Sequence, residues 1–326
     1  MNSLYSKIFT VTDLNFEETT LEVFAFQYEH VKVYRQFCDS LKQNPANVKS
    51  ISQIPFLPIE FFKTHAVIAE GETASKTFES SGTTGQITSK HHVVDLNVFE
   101  ESFLKCFEQF YGDVNQYVII ALLPSYLERN NSSLVYMAKD LMERSRQNAS
   151  GFFLNDFDKL YDWLDVLKTS KRKVILLGVT FALLDFAAQY KIDFPDLIVM
   201  ETGGMKGRRE ELTRQAVHLQ LKNSFGVKNI HSEYGMTELL SQAYSKGDGI
   251  FQSPPWLKIF TRDMYDPLRL QEENKTGVIN VIDLANLYSC SFIATGDLGK
   301  VNFNGTFEVL GRMADAEVRG CNLMVV

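Results

Sequence analysis

Positive charge is in short supply: 33 lysines and arginines stand against 40 aspartates and glutamates, a formal net charge of −7. With no basic stripe, the chain offers nucleic acid no electrostatic footprint. Cysteine is scarce and scattered. Cys38, Cys106, Cys290 and Cys321 form no CxxC pair and no Cys/His cluster, which argues against a disulfide framework or a zinc site and for a reducing compartment. The longest apolar runs, such as residues 117–123, fall far short of the ~20 residues that span a bilayer. The opening stretch MNSLYSKIFTVTDLNF lacks the basic start and apolar run of a signal peptide. The expectation is a soluble, cytoplasmic protein.

What is present is ordinary globular material. At 326 residues, 45% hydrophobic and 22% charged, the chain can bury a substantial core. At roughly 150 residues per domain it fills one large domain or two smaller ones. Residues 15–41 read as one long helix: Asn15 can cap it, Glu18 stands three residues on, and apolar side chains recur at Val23, Phe24, Phe26, Val31, Tyr34 and Phe37. Ile54-Pro55-Phe56-Leu57-Pro58 then breaks regular structure. Further on, apolar runs at 118–123, 174–177 and 197–200 are followed by helical patterns at 132–147, 181–190 and 208–221. Short, wholly apolar strands alternating with helices imply a parallel sheet covered on both faces, the α/β class. Ligands of such sheets sit in the loops at the carboxyl ends of strands. From Gly277 onward the runs 278–282, 291–294 and 307–310 are more strand-like. No internal repeat or low-complexity linker interrupts the pattern.

Four loops carry residues suited to chemistry. In Ser80-Ser81-Gly82-Thr83-Thr84-Gly85 the glycines permit a tight turn whose N–H groups converge, with hydroxyls as further donors, a nest that suits a triphosphate. A polar surface turn would read the same, and no Lys-Ser/Thr follows as in a Walker loop. Met200-Glu201-Thr202-Gly203-Gly204-Met205 lies between an apolar strand and a helix, where glycine lets a ligand approach the backbone, or simply turns the chain. In His231-Ser232-Glu233-Tyr234-Gly235-Met236-Thr237-Glu238 a tyrosine beside glycine offers a flat face for a base, and the later carboxylate can hold Mg²⁺. A buried Tyr and a solvated Glu are the plainer reading. In Thr295-Gly296-Asp297-Leu298-Gly299 the Asp can accept ribose hydroxyls or only stabilise its own turn.

Taken in order, SSGTTG, GG, EYGMTE, TGD and Gly311-Arg312 resemble the adenylate-forming superfamily of acyl-CoA synthetases, luciferases and peptide-synthetase adenylation domains, from about residue 78 to the C-terminus. Glu201-Thr202-Gly203-Gly204-Met205-Lys206-Gly207-Arg208 and the terminal Arg319-Gly320-Cys321-Asn322-Leu323-Met324 resemble the acyl-protein synthetase (LuxE-like) family within it. The resemblance implies an adenylate-forming fold with a small β-rich C-terminal subdomain and a truncated lid. The chain then divides into a helical N-terminal segment (1–75), the adenylate-forming core (76–305) and a hinge with a tail remnant (306–326).

The resemblance also implies roles. Ser80, Ser81, Gly82, Thr83, Thr84 and Gly85 would hold the β- and γ-phosphates of ATP, and Tyr234, beside Gly235, would stack on adenine. Gly203 and Gly204 would line the nucleotide and acyl pocket. Glu238 would bind Mg²⁺, Thr237 would contact the α-phosphate, and Asp297 and Arg312 would meet the ribose. A carboxylate attacking a phosphate needs no general base, only positioning and neutralised charge. Two departures stand out. Ile87-Thr88 replaces the usual Pro-Lys pair, nearer the phenylacetate-ligase branch, which leaves Lys90 an uncertain phosphate role. The mobile lid with its catalytic lysine is expected to be missing. In acyl-protein synthetases a cysteine near the C-terminus accepts the acyl group, and Cys321 matches it, beside Arg319, whose charge favours thiolate, though Asp315 and Glu317 oppose. An apolar terminal strand would bury the same cysteine.

His91 and His92 read as a strand start or surface pair, and Cys38, Cys106 and Cys290 as structural. The expected reaction is a carboxylic, fatty acid plus ATP giving acyl-AMP, then acyl transfer to Cys321 and on to an acyl-CoA-reductase-like partner. Two alternatives remain: direct ligation to coenzyme A or a carrier-protein thiol, and a non-catalytic nucleotide- or acyl-binding component.

Overall fold

The computed structural model describes residues 3–80, 87–123, 131–203 and 212–313. Helices α1 (Ser3–Ile8), α2 (Phe16–His30) and α3 (Lys32–Ser40) come first. The single helix expected over 15–41 is therefore two. Val31 leaves helical space at φ −105°, ψ 94°, yet its side chain is fully buried, so the apolar period continues across a backbone break. Asn15 stands at the N-cap position but turns its Oδ1 back to accept from Thr12 N at 2.7 Å. Inside α2 the buried Gln27 donates to the carbonyls of Asn286 and Leu287 at 2.9 Å each and accepts from Ser291 N at 3.0 Å. The N-terminal helices are thereby tied to a turn some 260 residues on.

Next come the short strand β1 (Leu57–Pro58), the single turn α4 (Phe61–Thr64), strands β2 (Lys76–Glu79) and β3 (Lys90–Val93), and helix α5 (Leu96–Tyr111). The expected alternation follows: β4 (Tyr117–Leu122), α6 (Ser133–Ser145), β5 (Gly151–Phe153), α7 (Phe157–Thr169), β6 (Lys173–Val179), α8 (Thr180–Gln189), β7 (Ile198–Thr202), α9 (Arg214–Phe225) and β8 (His231–Tyr234). The helices start where short polar side chains can take up free N–H groups: Asp95, Ser132, Asp156 and Thr213 accept from Asn97, Val135, Lys159 and Ala216. The regular elements that follow among the described residues are strands, β9 (Ala243–Ser245), β10 (Ile250–Gln252), β11 (Leu257–Arg262), β12 (Thr276–Asp283), β13 (Phe292–Val301) and β14 (Phe307–Arg312), with one 3-10 turn at Leu284–Asn286.

Among the described residues one twelve-stranded sheet runs β11-β12-β13-β14-β10-β9-β8-β7-β6-β4-β5, with β1 beside β13, while β2 and β3 form a separate hairpin. From β5 to β8 the strands are parallel; from β8 to β11 they are antiparallel. The strand-rich last third thus continues the parallel sheet. β4 is buried at every position, as a strand covered on both faces must be, whereas β11 alternates buried and half-buried residues. Cys38, Cys106 and Cys290 are buried, and burial pushes the Cys38 thiol up to about 12, the mark of inert packing groups. No helix among the described residues is long and apolar enough to cross a membrane.

Candidate active site

The sheet changes from parallel to antiparallel at β8, so the carboxyl ends of β7 and β8 lie side by side with β9 folding back on them. That is where an open α/β sheet leaves room for a ligand. Gly203, next after β7, turns the chain away at φ +74°, a conformation a side chain disfavours. Tyr234 ends β8. Its hydroxyl donates to Asp297 Oδ2 at 2.9 Å, and Arg312 Nε donates to Asp297 Oδ1 at 3.1 Å. Asp297 and Arg312 face each other in the antiparallel register of β13 and β14. Tyr234 and Asp297 are buried and the Arg312 side chain is exposed. Burial first, then the Asp297 charge, holds the phenol firmly protonated. A carboxylate has about four acceptor sites, so Asp297 keeps capacity for further donors. Behind it, Arg262 donates to the carbonyls of Thr295 (2.7 Å) and Ile279 (3.0 Å), fixing the turn.

The loop after Tyr234 carries Thr237 and Glu238. Glu238 is only 5% exposed. Burial pushes its carboxyl above the ordinary range, against a hydrogen bond from the Ser89 side chain and the charges of Arg312 and Lys63. Ser89 also joins Glu238 to the expected phosphate loop: Ser80 N donates to Ser89 O at 3.0 Å and Ser89 N to Ser80 Oγ at 2.9 Å. Asp283, buried on the other side, accepts from Leu240 N (2.8 Å), Ser241 N (3.0 Å) and Ser241 Oγ (2.6 Å). Beneath Gly235 lies Glu233, whose Oε2 accepts from the Thr202 hydroxyl at 2.5 Å. Burial, then the like charge of Glu201, pushes Glu233 up to about 7.

Ser80, Gly203, Tyr234, Gly235, Thr237, Glu238, Asp297 and Arg312 are among the described residues. Tyr234, Asp297 and Arg312 are joined directly, and Ser80 reaches Glu238 through Ser89. Ser81, Gly82, Thr83, Thr84, Gly85, Gly204 and Cys321 lie outside the described residues. Lys90 is exposed, its Nζ 3.9 Å from Glu79 Oε1. Of the two alternatives for His91 and His92 the strand start holds, since both lie in β3, and His91 is not at the surface. It is 1% exposed, with Nδ1 2.8 Å from Thr237 O and Nε2 2.9 Å from Asn286 Oδ1. Both nitrogens face oxygens, as a charged ring would prefer, but burial outweighs those two bonds and pulls its pKa to about 4. His91, Asn286, Asp283 and Arg262 belong to the site's framework, and no motif marks them.

Among the described residues no three His, Cys, Asp or Glu side chains gather to hold a metal. A single buried carboxylate, with the Ser89 hydroxyl beside it, still fits Mg²⁺, which is commonly held by one or two carboxylates together with substrate phosphates and water.

The family model described as acyl-protein synthetase, LuxE, matches residues 12–326. No curated protein matches the sequence significantly. Among solved structures, ATP-bound MatB from Rhodopseudomonas palustris matches at 18% identity and TM-score 0.54, covering 72% of this chain and 47% of that one. A 2-hydroxyisobutyryl-CoA ligase in complex with 2-HIB-AMP and CoA matches at 12% identity and TM-score 0.71, covering 95% and 71%. The chain spans about half the length of the MatB structures it matches. At such identities the likeness establishes the fold, that of the adenylate-forming ligases. The family match runs over nearly the whole chain, which therefore belongs to the acyl-protein synthetase, LuxE, family.

Proposed function

We propose that the protein activates a carboxylic acid, a fatty acid by family, with ATP, and then carries the acyl group on Cys321 for delivery to an acyl-CoA-reductase-like partner. The observation that carries the reading is the Tyr234–Asp297–Arg312 chain beside the buried Glu238, at the carboxyl end of the parallel strands in a chain of this family. Asp297, fixed by its two donors, receives the ribose hydroxyls on its remaining acceptor sites. The Tyr234 ring, anchored at its hydroxyl, stacks against adenine. By family, Ser80 and the residues to Gly85 would hold the β- and γ-phosphates, and Thr237 would contact the α-phosphate.

An oxygen of the substrate carboxylate attacks the α-phosphorus and pyrophosphate leaves, giving acyl-AMP. The thiolate of Cys321 then attacks the acyl carbonyl carbon and AMP leaves with the bonding pair, giving a thioester. Mg²⁺, held by Glu238 and phosphate oxygens, would supply charge neutralisation. No general base is needed in the first step, because the acid is ionised at neutral pH; the protein's part is orientation and electrostatics.

The test is intact mass spectrometry after incubation with ATP, Mg²⁺ and a panel of fatty and aromatic acids. A hydroxylamine-labile acyl adduct, absent in Cys321→Ser, is expected. Pyrophosphate exchange without an adduct would replace the carrier thiol by direct ligation to coenzyme A or a carrier protein. ATP binding with neither would leave a nucleotide-binding component and sink the enzyme reading.

A further inference from the structure

After β8 the chain turns, with Leu239 N donating to Met236 O at 3.1 Å, and the carbonyls that follow take side-chain donors brought from elsewhere. Two consecutive ones are served by two buried residues. The Thr237 carbonyl meets His91 Nδ1 at 2.8 Å, and the Glu238 carbonyl accepts from Asn286 Nδ2 at 2.7 Å. The two side chains also meet each other, His91 Nε2 lying 2.9 Å from Asn286 Oδ1. One imidazole and one amide thus grip the two peptide groups that flank the Glu238 Cα.

Both members are themselves fixed. His91 pairs with Phe78 across the β2–β3 hairpin, the element that leads into Ser80. Phe62 stands edge-on to its ring at 5.8 Å and 88°. Asn286 is 1% exposed, and its own carbonyl accepts from Gln27 at 2.9 Å. Hairpin, loop and turn are therefore locked together at one point by residues 146 and 195 positions apart in sequence from His91. A side chain is aimed only as well as its backbone is held, and functional groups need placement to about 0.5 Å.

We infer that His91 and Asn286 form a positioning clamp that sets the Thr237–Glu238 backbone, and so the aim of the Glu238 carboxylate at magnesium-bound triphosphate. Neither residue touches substrate. The inference rests on the proposed adenylation, and it assigns to a histidine outside every recognised motif the task of supporting the centre's one buried acidic ligand.

The experiment compares the full chain with His91→Phe, Asn286→Leu, the double variant and His91→Gln, whose amide can still donate to Thr237 O. Loss of such supporting contacts typically costs about 10–100-fold in metal affinity or activity. The expected results in ATP–pyrophosphate exchange are a kcat lowered about 10-fold or more and a half-saturating Mg²⁺ concentration raised similarly. The KM for ATP at saturating Mg²⁺ should stay within about twofold. The double variant should lose little more than either single one, because the pair acts as a unit, and His91→Gln should recover part of the loss. Without nucleotide, amide hydrogen exchange of residues 236–240 should quicken in His91→Phe. Tyr34→Phe, which deletes a buried 2.8 Å bond to Pro55 O, serves as a control that lowers stability without touching the loop.

Unchanged kcat and Mg²⁺ dependence in folded variants would overturn the clamp, as would an equal rate loss in Tyr34→Phe. If His91→Phe does not fold, Asn286→Leu and His91→Gln decide by the same readings. No exchange in the wild type would sink the proposed function instead, and unaltered amide protection would then reject the clamp independently.

Discussion

Tyr234 and Asp297, 63 residues apart, share a buried 2.9 Å hydrogen bond in which the phenol at the end of β8 donates to the carboxylate of β13. The bond joins the parallel half of the sheet to the antiparallel half at the proposed nucleotide site. Tyr234→Phe keeps the ring and removes the donor. We expect a loss of about 1 kcal/mol in unfolding free energy and a KM for ATP raised only a few-fold. Asp297→Ala should cost more, about 1–3 kcal/mol, because it leaves the phenol buried without its acceptor, and should raise the KM for ATP at least about 10-fold. Urea unfolding and pyrophosphate exchange read both. An Asp297→Ala enzyme with wild-type KM would remove Asp297 from nucleotide binding.

Asp283 makes a second prediction. It is fully buried and accepts from two backbone N–H groups and a hydroxyl in the segment that follows Glu238, and from Ala285 N at 3.2 Å. Removing the carboxylate leaves those donors without partners, at about 1–3 kcal/mol for each that stays dry. Asp283→Ala should therefore lose about 3 kcal/mol or more, and Asp283→Asn, which keeps one acceptor oxygen, less than half of that. Trp256 reports the change locally, since its Nε1 donates to Ser241 Oγ at 3.1 Å. Its emission should shift to the red in Asp283→Ala; an unshifted spectrum with full stability would mean that Asp283 does not hold this segment.

Much of this was legible in the sequence, for reasons that differ from element to element. The apolar runs at 118–123 and 174–177 became β4 and β6 because a strand buried on both faces leaves no choice of residue type. The loops around Tyr234 and Asp297 could be singled out as candidates only by the resemblance of their order along the chain, since each alone also reads as an ordinary turn. The break at Val31 did not show, since the inward period of α2 and α3 runs on across it. Nor did the burial of His91, which depends on Asn286 and Thr237, far along the chain. Two adjacent histidines look polar, but a strand sends neighbours to opposite faces, and here one of them entered the core.

The pH dependence of stability should carry the signature of Glu233. Burial, then the Glu201 charge, raises its carboxyl from the ordinary 4.5 to about 7. The folded protein therefore binds this proton more tightly than the unfolded chain does. The stabilisation is fully present below pH 4.5 and is lost as pH rises through 7. At about 1.4 kcal/mol per tenfold in proton affinity, the loss amounts to about 3 kcal/mol. Glu233→Gln keeps an acceptor for the Thr202 hydroxyl and cannot ionise. Relative to wild type it should be more stable at pH 8 than at pH 5 by up to that amount. Urea midpoints at the two pH values measure it; a difference that does not change with pH would mean that Glu233 is ionised throughout.

Gly235 couples the same carboxylate to the proposed adenine site. A Cβ built at Gly235 would fall 2.4 Å from Glu233 Oε1 and 3.5 Å from Gln242 Cγ. The first contact is impossible without movement. The atom that must move ends a side chain, but a buried one whose other oxygen is held by Thr202. Gly235→Ala should therefore cost about 1–3 kcal/mol, the usual range for overpacking, and raise the KM for ATP by displacing the Tyr234 backbone between the two residues. The cause can be isolated. In a Glu233→Ala background the obstructing oxygen is gone, so adding Gly235→Ala should cost well under 1 kcal/mol, a coupling of at least about 1 kcal/mol in the double-mutant cycle. Glu233→Gln should give no such relief, because the amide occupies the same volume. If Gly235→Ala were as costly in the Glu233→Ala background as in the wild type, the glycine would be required for the approach of the nucleotide or for its backbone alone, not for room beside Glu233.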